Sequence, residues 1–170
     1  MKESDVKTKW IAPLVLAVSL AATSQQPAPV RATLVVKPIS GQALTLGAQD
    51  FAKLPQVKVS AKDHEGKNHE YAGVNLHDVL TQAGVPTGHE LRGKEMGDYV
   101  VVEASDGYRV VFSAAELDPD LGNTQVIVAE SVDGQPLGVK EGPLRLVVPG
   151  DKRPARWVRM VTSISVMRAQ

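Results

Sequence analysis

EGPLRLVVPGDKRPARWVR, Glu141 to Arg159, is the stretch from which the rest of the chain can be read. Leu144 to Val148 is an apolar, strand-like run interrupted only by Arg145, and Pro149-Gly150 then turns or kinks the chain. Lys152, Arg153, Arg156 and Arg159 follow within eight residues, in a chain whose 19 Lys and Arg balance 19 Asp and Glu. Strand alternation puts Arg145 on the same face as Val147, so its guanidinium needs either the solvent side of an edge strand or a partner. Arg156 and Arg159 are three apart and share a face if the turn is helical. Trp157 sets a large flat ring between them, able to stack on a ligand or to anchor the turn in the core. Spacing leaves two readings open: a solvated loop around a structural Trp, or an anion site whose guanidinium forks face phosphate or pyrophosphate.

Outward from this stretch the pattern is short strands separated by turn chemistry. TLVVK and ALTL are rich in strand formers, and GAQDFAKLP holds one short helix between Gly47 and Pro55. QVKVSAK alternates Val57, Val59 and Ala61 with polar residues, the period of a half-buried strand. DHEGKNHEYAG turns the chain into its partner. Asn75 is placed to cap a helix carrying Leu76, Val79, Leu80 and Ala83 at helical spacing, ended by Gly84 and Pro86. YVVVEASDGYRVVFS reads as a hairpin turning at Asp106-Gly107, and Ser113 caps a brief AAEL helix. TQVIVAESVDGQPLG repeats the strand-and-turn theme at Asp133-Gly134, and LRLVV and VRMVTSISV close the chain. The expected class is α+β: β-dominated mixed sheets with short helices and no βαβ repeat.

The N-terminus carries Lys2, Lys7 and Lys9 before an apolar stretch of 13 residues, WIAPLVLAVSLAA, and then Ala22-Thr23-Ser24. This is the order of a secretory signal peptide, and the stretch is shorter than the roughly 20 residues of a membrane span. The expected division is therefore 1–24 signal peptide, 25–32 extended spacer (Pro, Ala and Gln rich) and 33–170 a single domain. That makes the mature protein periplasmic or secreted, with no membrane span after cleavage. Balanced charge predicts no nucleic-acid partner. The chain has no cysteine, which excludes thiolate nucleophiles, zinc–thiolate sites and redox-active thiol pairs.

Other chemistry is poorly supported. HExxH, G-x-S-x-G and the two phosphate-binding glycine loops are absent. Asp118 and Asp120 sit in a DPDLG turn, and His64 and His69 flank a polar hairpin turn with Asp63, Glu65 and Glu70, a set read as solvated rather than metal-binding.

EGPLRLVVPGDKRPARWVRMVTSISV resembles the closing segment of the sulfite-oxidase-type molybdopterin-binding domain family. YAGVNLHDVLTQAGV and YVVVEASDGYRVVFSAAELDP extend the resemblance over roughly Thr33 to Met167. It implies the family's mixed α+β fold and a pocket for the molybdopterin cofactor with its terminal phosphate. By motif position it places Arg145, Lys152, Arg156, Arg159 and Trp157, with Asp106 and Tyr108 of SDGYR, at the cofactor's polar end. Catalytic members hold molybdenum through a cysteine on the strand before the aromatic-x-Gly segment. Here that region offers Ser60, Ala61 and Lys62 and no sulfur.

The function implied is binding of the anionic pterin cofactor, or of a similar small ligand, without standard sulfite oxidation. Two alternatives stay open: a small molybdenum-dependent oxidoreductase acting with a redox partner subunit, and a cofactor-free interaction module. At least three of Arg145, Lys152, Arg156 and Arg159 are expected to converge on one cleft, with Ser60 or Ala61 lining it.

Overall fold

The structure, a computed structural model, describes residues 32–169. The expected leader and all but the last residue of the expected spacer lie outside the described residues. Among the described residues, no helix is long and apolar enough to cross a membrane.

Among the described residues, ten strands form two five-stranded sheets. In the first, β1 (Thr33–Lys37) lies beside β2 (Leu44–Gly47) and β10 (Val161–Arg168), and the order continues through β5 (Asp98–Ala104) to β6 (Arg109–Ser113). The β1–β10 pair is parallel, Val36 opposite Ile164, while the other pairs in this sheet are antiparallel. The first and last of the described strands are thus direct neighbours. In the second sheet β3 (Gln56–Lys62), β4 (Asn68–Asn75) and β7 (Ile127–Val132) run antiparallel in that order. The far edge of β7 is shared by two short strands, β8 (Gln135–Pro136) and β9 (Arg145–Val147).

Local sequence explains most of these elements. Val59 and Ala61 of β3 and alternate residues of β5 are buried, as a period of two requires. Both Asp-Gly turns place glycine at positive φ, Gly107 at 85° and Gly134 at 75°, where a Cβ would be strained. Three short helices, α1 (Ala48–Phe51), α2 (Leu76–Gln82) and α3 (Ala114–Leu117), decorate the sheets. Leu76, Val79 and Leu80 bury the inner face of α2. Asn75 does not cap α2 with its side chain, because it still pairs with Ile127 as the last residue of β4, and the Leu76 N–H donates to the Val126 carbonyl at 2.8 Å.

One apolar core unites the sheets, with Leu34, Val36, Val100, Val102 and Ile164 meeting Tyr71, Val74, Ile127, Leu146 and Trp157. β9 carries the chain across. The Leu146 N–H donates to Val158 (2.7 Å), the Val161 N–H to Leu144 (2.9 Å), and the Met160 N–H to Glu141 (2.9 Å). The EGPLRLVV half of the opening stretch is therefore fixed against the WVRMV segment at and just beyond its end, at the seam between the sheets. That seam is where the candidate site lies.

Candidate functional site

Arg145 is buried on β9, its side chain 9% exposed. The strand needs a partner for this guanidinium and supplies several. Nη1 donates to Glu141 Oε1 at 2.6 Å, and the guanidinium carbon lies 5.5 Å from the Tyr71 ring centre and 5.3 Å from that of Trp157. The two rings meet edge to face, 5.5 Å apart, and the Trp157 indole N–H donates to the Val148 carbonyl at 3.0 Å. The aromatic walls are thus held by packing and by a backbone acceptor. Arg145 Nε is buried with no hydrogen-bond acceptor among the described residues.

Above this pair opens a cleft of about 420 Å³, lined by Asp106, Tyr108, Glu141, Arg145, Trp157 and Arg159 among others. Tyr108 closes one wall: its hydroxyl donates to the Ala155 carbonyl at 2.6 Å, and its N–H donates to Asp106 Oδ1 at 3.0 Å. These bonds tie the β5–β6 turn to the short 3₁₀ turn Pro154–Arg156.

Five of the seven residues expected at the site, Arg145, Arg159, Trp157, Asp106 and Tyr108, line this one cleft. The cations divide differently from expectation. Lys152 lines an adjoining cleft of about 560 Å³, together with Arg153, Lys62, Ser60 and Ala61, and the two clefts share His64 and Pro154 at their common lip. Arg156 lines neither. Its Nε and Nη2 close on both oxygens of Asp151 (2.9 and 2.7 Å), its Nη1 reaches Glu116 Oε1 (2.9 Å), and its guanidinium lies 4.7 Å from the Phe112 ring centre. The helical turn stops at Arg156, so Arg156 and Arg159 do not share a helix face. Two cations, not three or more, converge on the first cleft, and Ser60 and Ala61 belong to its neighbour.

The polar hairpin turn holds a feature that local reading missed. His69 is pinned between two carboxylates, Nδ1 to Asp133 at 2.6 Å and Nε2 to Asp63 at 3.2 Å, and its side chain is only 16% exposed. His69 and Asp133 lie 64 positions apart, and only the pairing of β4 with β7 brings them together. The hydrogen bond to Asp133 is the main influence raising the His69 pKa, against the opposing effect of burial. Asp133 is lowered by its bond to His69 and by the Glu70 amide. Burial pushes Asp63 upward, but the Lys67 and Glu65 amides and His69 outweigh it, and the net shift is downward.

A stabilising imidazolium contributes fully below its unfolded value of about 6.5 and loses that contribution as pH rises through the higher folded value. The carboxylates contribute above their ordinary values and lose that contribution as pH falls through the lowered ones. His69→Gln is therefore expected to destabilise the fold most near pH 5 to 6 and progressively less toward alkaline pH, as read from urea unfolding across that range. A penalty independent of pH would contradict the clamp.

The comparisons agree with this architecture. Among solved structures, the sulfane dehydrogenase SoxCD from Paracoccus pantotrophus is similar, with a TM-score of 0.61 and 21% identity over 79% of this chain. The match covers 37% of that neighbour, so this chain spans well under half of its length. Comparison with curated proteins finds no match. The family model described as "Oxidoreductase molybdopterin binding domain" matches residues 25–170. With the strand-dominated fold and the cleft beneath its closing segment, that match makes the chain a member of the sulfite-oxidase-type oxidoreductase molybdopterin-binding domain family.

Proposed function

We propose that this chain is a periplasmic protein that holds the molybdopterin cofactor, or a closely related anionic ligand, in the cleft around Arg145, without standard sulfite oxidation. The observation that carries this reading is the Arg145 guanidinium, which lines the cleft beside the Tyr71 and Trp157 rings and, among the described residues, gives only Nη1 to a side-chain acceptor. Arg159, exposed on the same cleft and in no ion pair among the described residues, adds a second cation.

The organic part of the cofactor fits these residues. Arg145 and Arg159 would supply donors, and Tyr108 and Trp157 would flank the ring. A protein thiolate for the metal does not fit, since the chain has no cysteine, and among the described residues no three His, Asp or Glu form a cluster able to hold a metal. When bound, the cofactor would supply molybdenum redox chemistry that no side chain of this protein provides.

The test is to purify the protein from a molybdenum-replete host and assay released pterin fluorescence and metal. Pterin is expected at close to one equivalent in the wild type and at a small fraction of that in Arg145→Ala. Protein that stays empty, even after incubation with free cofactor, would overturn the reading.

A further inference from the structure

The second cleft, of about 560 Å³, meets the first at the lip formed by His64 and Pro154, yet its charge balance is different. In the first, Arg145 is paired with Glu141, and Arg159 shares the lining with Asp106. In the second, Lys62, Lys152 and Arg153 stand with Asp63 and Asp151. Both of these carboxylates are already committed within the fold. Asp63 Oδ1 accepts the Glu65 and Lys67 N–H groups at 2.9 Å each, and Oδ2 meets His69 Nε2 at 3.2 Å. Asp151 gives both oxygens to the Arg156 fork, at 2.7 and 2.9 Å. Their side chains are largely buried, whereas the three cations are exposed and form no ion pair among the described residues.

Strand β3 shows how one of these cations comes to be left over. Lys58, Ser60 and Lys62 alternate onto one face of it. Glu70, opposite Ser60 on β4, lies diagonal to both lysines and pairs with Lys58, Nζ to Oε1 at 2.8 Å. The residue opposite Lys62 is the uncharged Asn68. Asn68 Nδ2 donates to Ser60 Oγ at 2.7 Å, so the Ser60 hydroxyl proton remains available to a ligand. Lys152 and Arg153 arrive from a distant part of the chain, the loop after β9. The fold therefore gathers three cations and a hydroxyl donor on one concavity whose acids are neutralised from within. Like charges held together repel, and a compact, multiply charged oxyanion relieves more of that repulsion than a monoanion does.

We propose that the second cleft is an oxyanion site in its own right, taking a group of the diphosphate class through Lys62, Lys152, Arg153 and the Ser60 hydroxyl. Arg153 supplies a planar fork for phosphoryl oxygens, and the lysines supply point charges. The site does not depend on what the first cleft holds.

Titration calorimetry of the full chain at low ionic strength tests this. Inorganic diphosphate should bind saturably at one site, at least about tenfold more tightly than inorganic monophosphate, and should weaken as salt is added. Lys62→Gln and the double variant Lys152→Gln, Arg153→Gln should each lose at least about tenfold in diphosphate affinity, the size of one charge-assisted hydrogen bond. Lys58→Gln, on the same strand face, and Arg145→Lys, on the first cleft, should stay within about twofold. ADP is the second probe. Affinity like that of diphosphate identifies an esterified group as the occupant, and affinity at least about tenfold lower identifies the free anion; both support the site. Absence of saturable diphosphate binding, or binding that the Lys62, Lys152 and Arg153 variants leave unchanged, overturns the proposal. Loss in Arg145→Lys alone also overturns it, by moving the anion to the first cleft, and leaves the pterin reading standing.

Discussion

Arg145→Ala is expected to lower affinity for a phosphorylated pterin by at least about a hundredfold, since losing one buried hydrogen-bonded charge at a binding site costs about 2–5 kcal/mol. The fold should lose roughly 2–4 kcal/mol as well. The side chain fills the space between Tyr71 and Trp157, and its removal leaves Glu141 without its cation. Glu141 is 36% exposed and can take water in its place, which holds the penalty below that of a fully buried orphan charge. Arg145→Lys separates the two effects. Lysine keeps a charge but not the planar fork, so binding should still fall sharply while most of the stability returns.

Arg156→Ala is the contrasting case. Arg156 is committed to Asp151 and Glu116, so its loss should cost about 1–2 kcal/mol, limited by its 35% exposure, and leave ligand affinity within about twofold. Equal loss of binding in Arg145→Ala and Arg156→Ala would show that the cleft is not the site.

Gly73→Ala should be among the most damaging single-methyl changes in the molecule. Gly73 sits within β4, paired with Val57 on one side and Ala129 on the other, at the point where the β4–β7 register shifts. A Cβ there would lie 2.7 Å from Ala129 Cα and 2.8 Å from the Val128 carbonyl carbon, and closer still to the Val128 oxygen. These are backbone atoms of the adjacent central strand, which cannot rotate away as a side chain would. The expected cost is at least about 3 kcal/mol, or a fall in Tm of about 10 °C for a domain of this size. Gly84→Ala serves as the control: its φ of 75° is strained for alanine, but nothing lies within 4 Å, so it should lose only about 1 kcal/mol. A Gly73→Ala variant melting within about 2 °C of wild type would contradict the described packing of β4 on β7.

The glycine of YAG thus has a steric reason that the sequence could mark but not explain. Other features were legible because they are local. Alternation in QVKVSAK gives β3 from Gln56 to Lys62, and the spacing of Leu76, Val79 and Leu80 gives the buried face of α2. The strand-like character of LRLVV gives β9, although only three of its residues join the ladder.

What sequence could not supply was the choice among partners. Arg156 looks the same as Arg159 in the linear chain, yet the fold brings Glu116, 40 positions away, to the first and leaves the second facing the cleft. His69 and Asp133 each sit beside a turn, and neither turn announces the other. Glu141 stands four residues before Arg145, a spacing that signals a pair on a helix. Here Pro143 and an approaching strand make the contact by a different route. Five of the residues that the family motif nominates line one cleft, while the side-chain partnerships around it depend on long-range pairing of charges.

The central claim is that the cleft beneath the closing segment binds a pterin ligand through Arg145. Trp157 lines that cleft, and the chain has only one other tryptophan, Trp10. With Trp10 replaced by Phe, titration of a phosphorylated pterin should quench the Trp157 emission saturably in the wild-type cleft and not in Arg145→Ala. Quenching that never saturates, or that survives unchanged in Arg145→Ala, would contradict it.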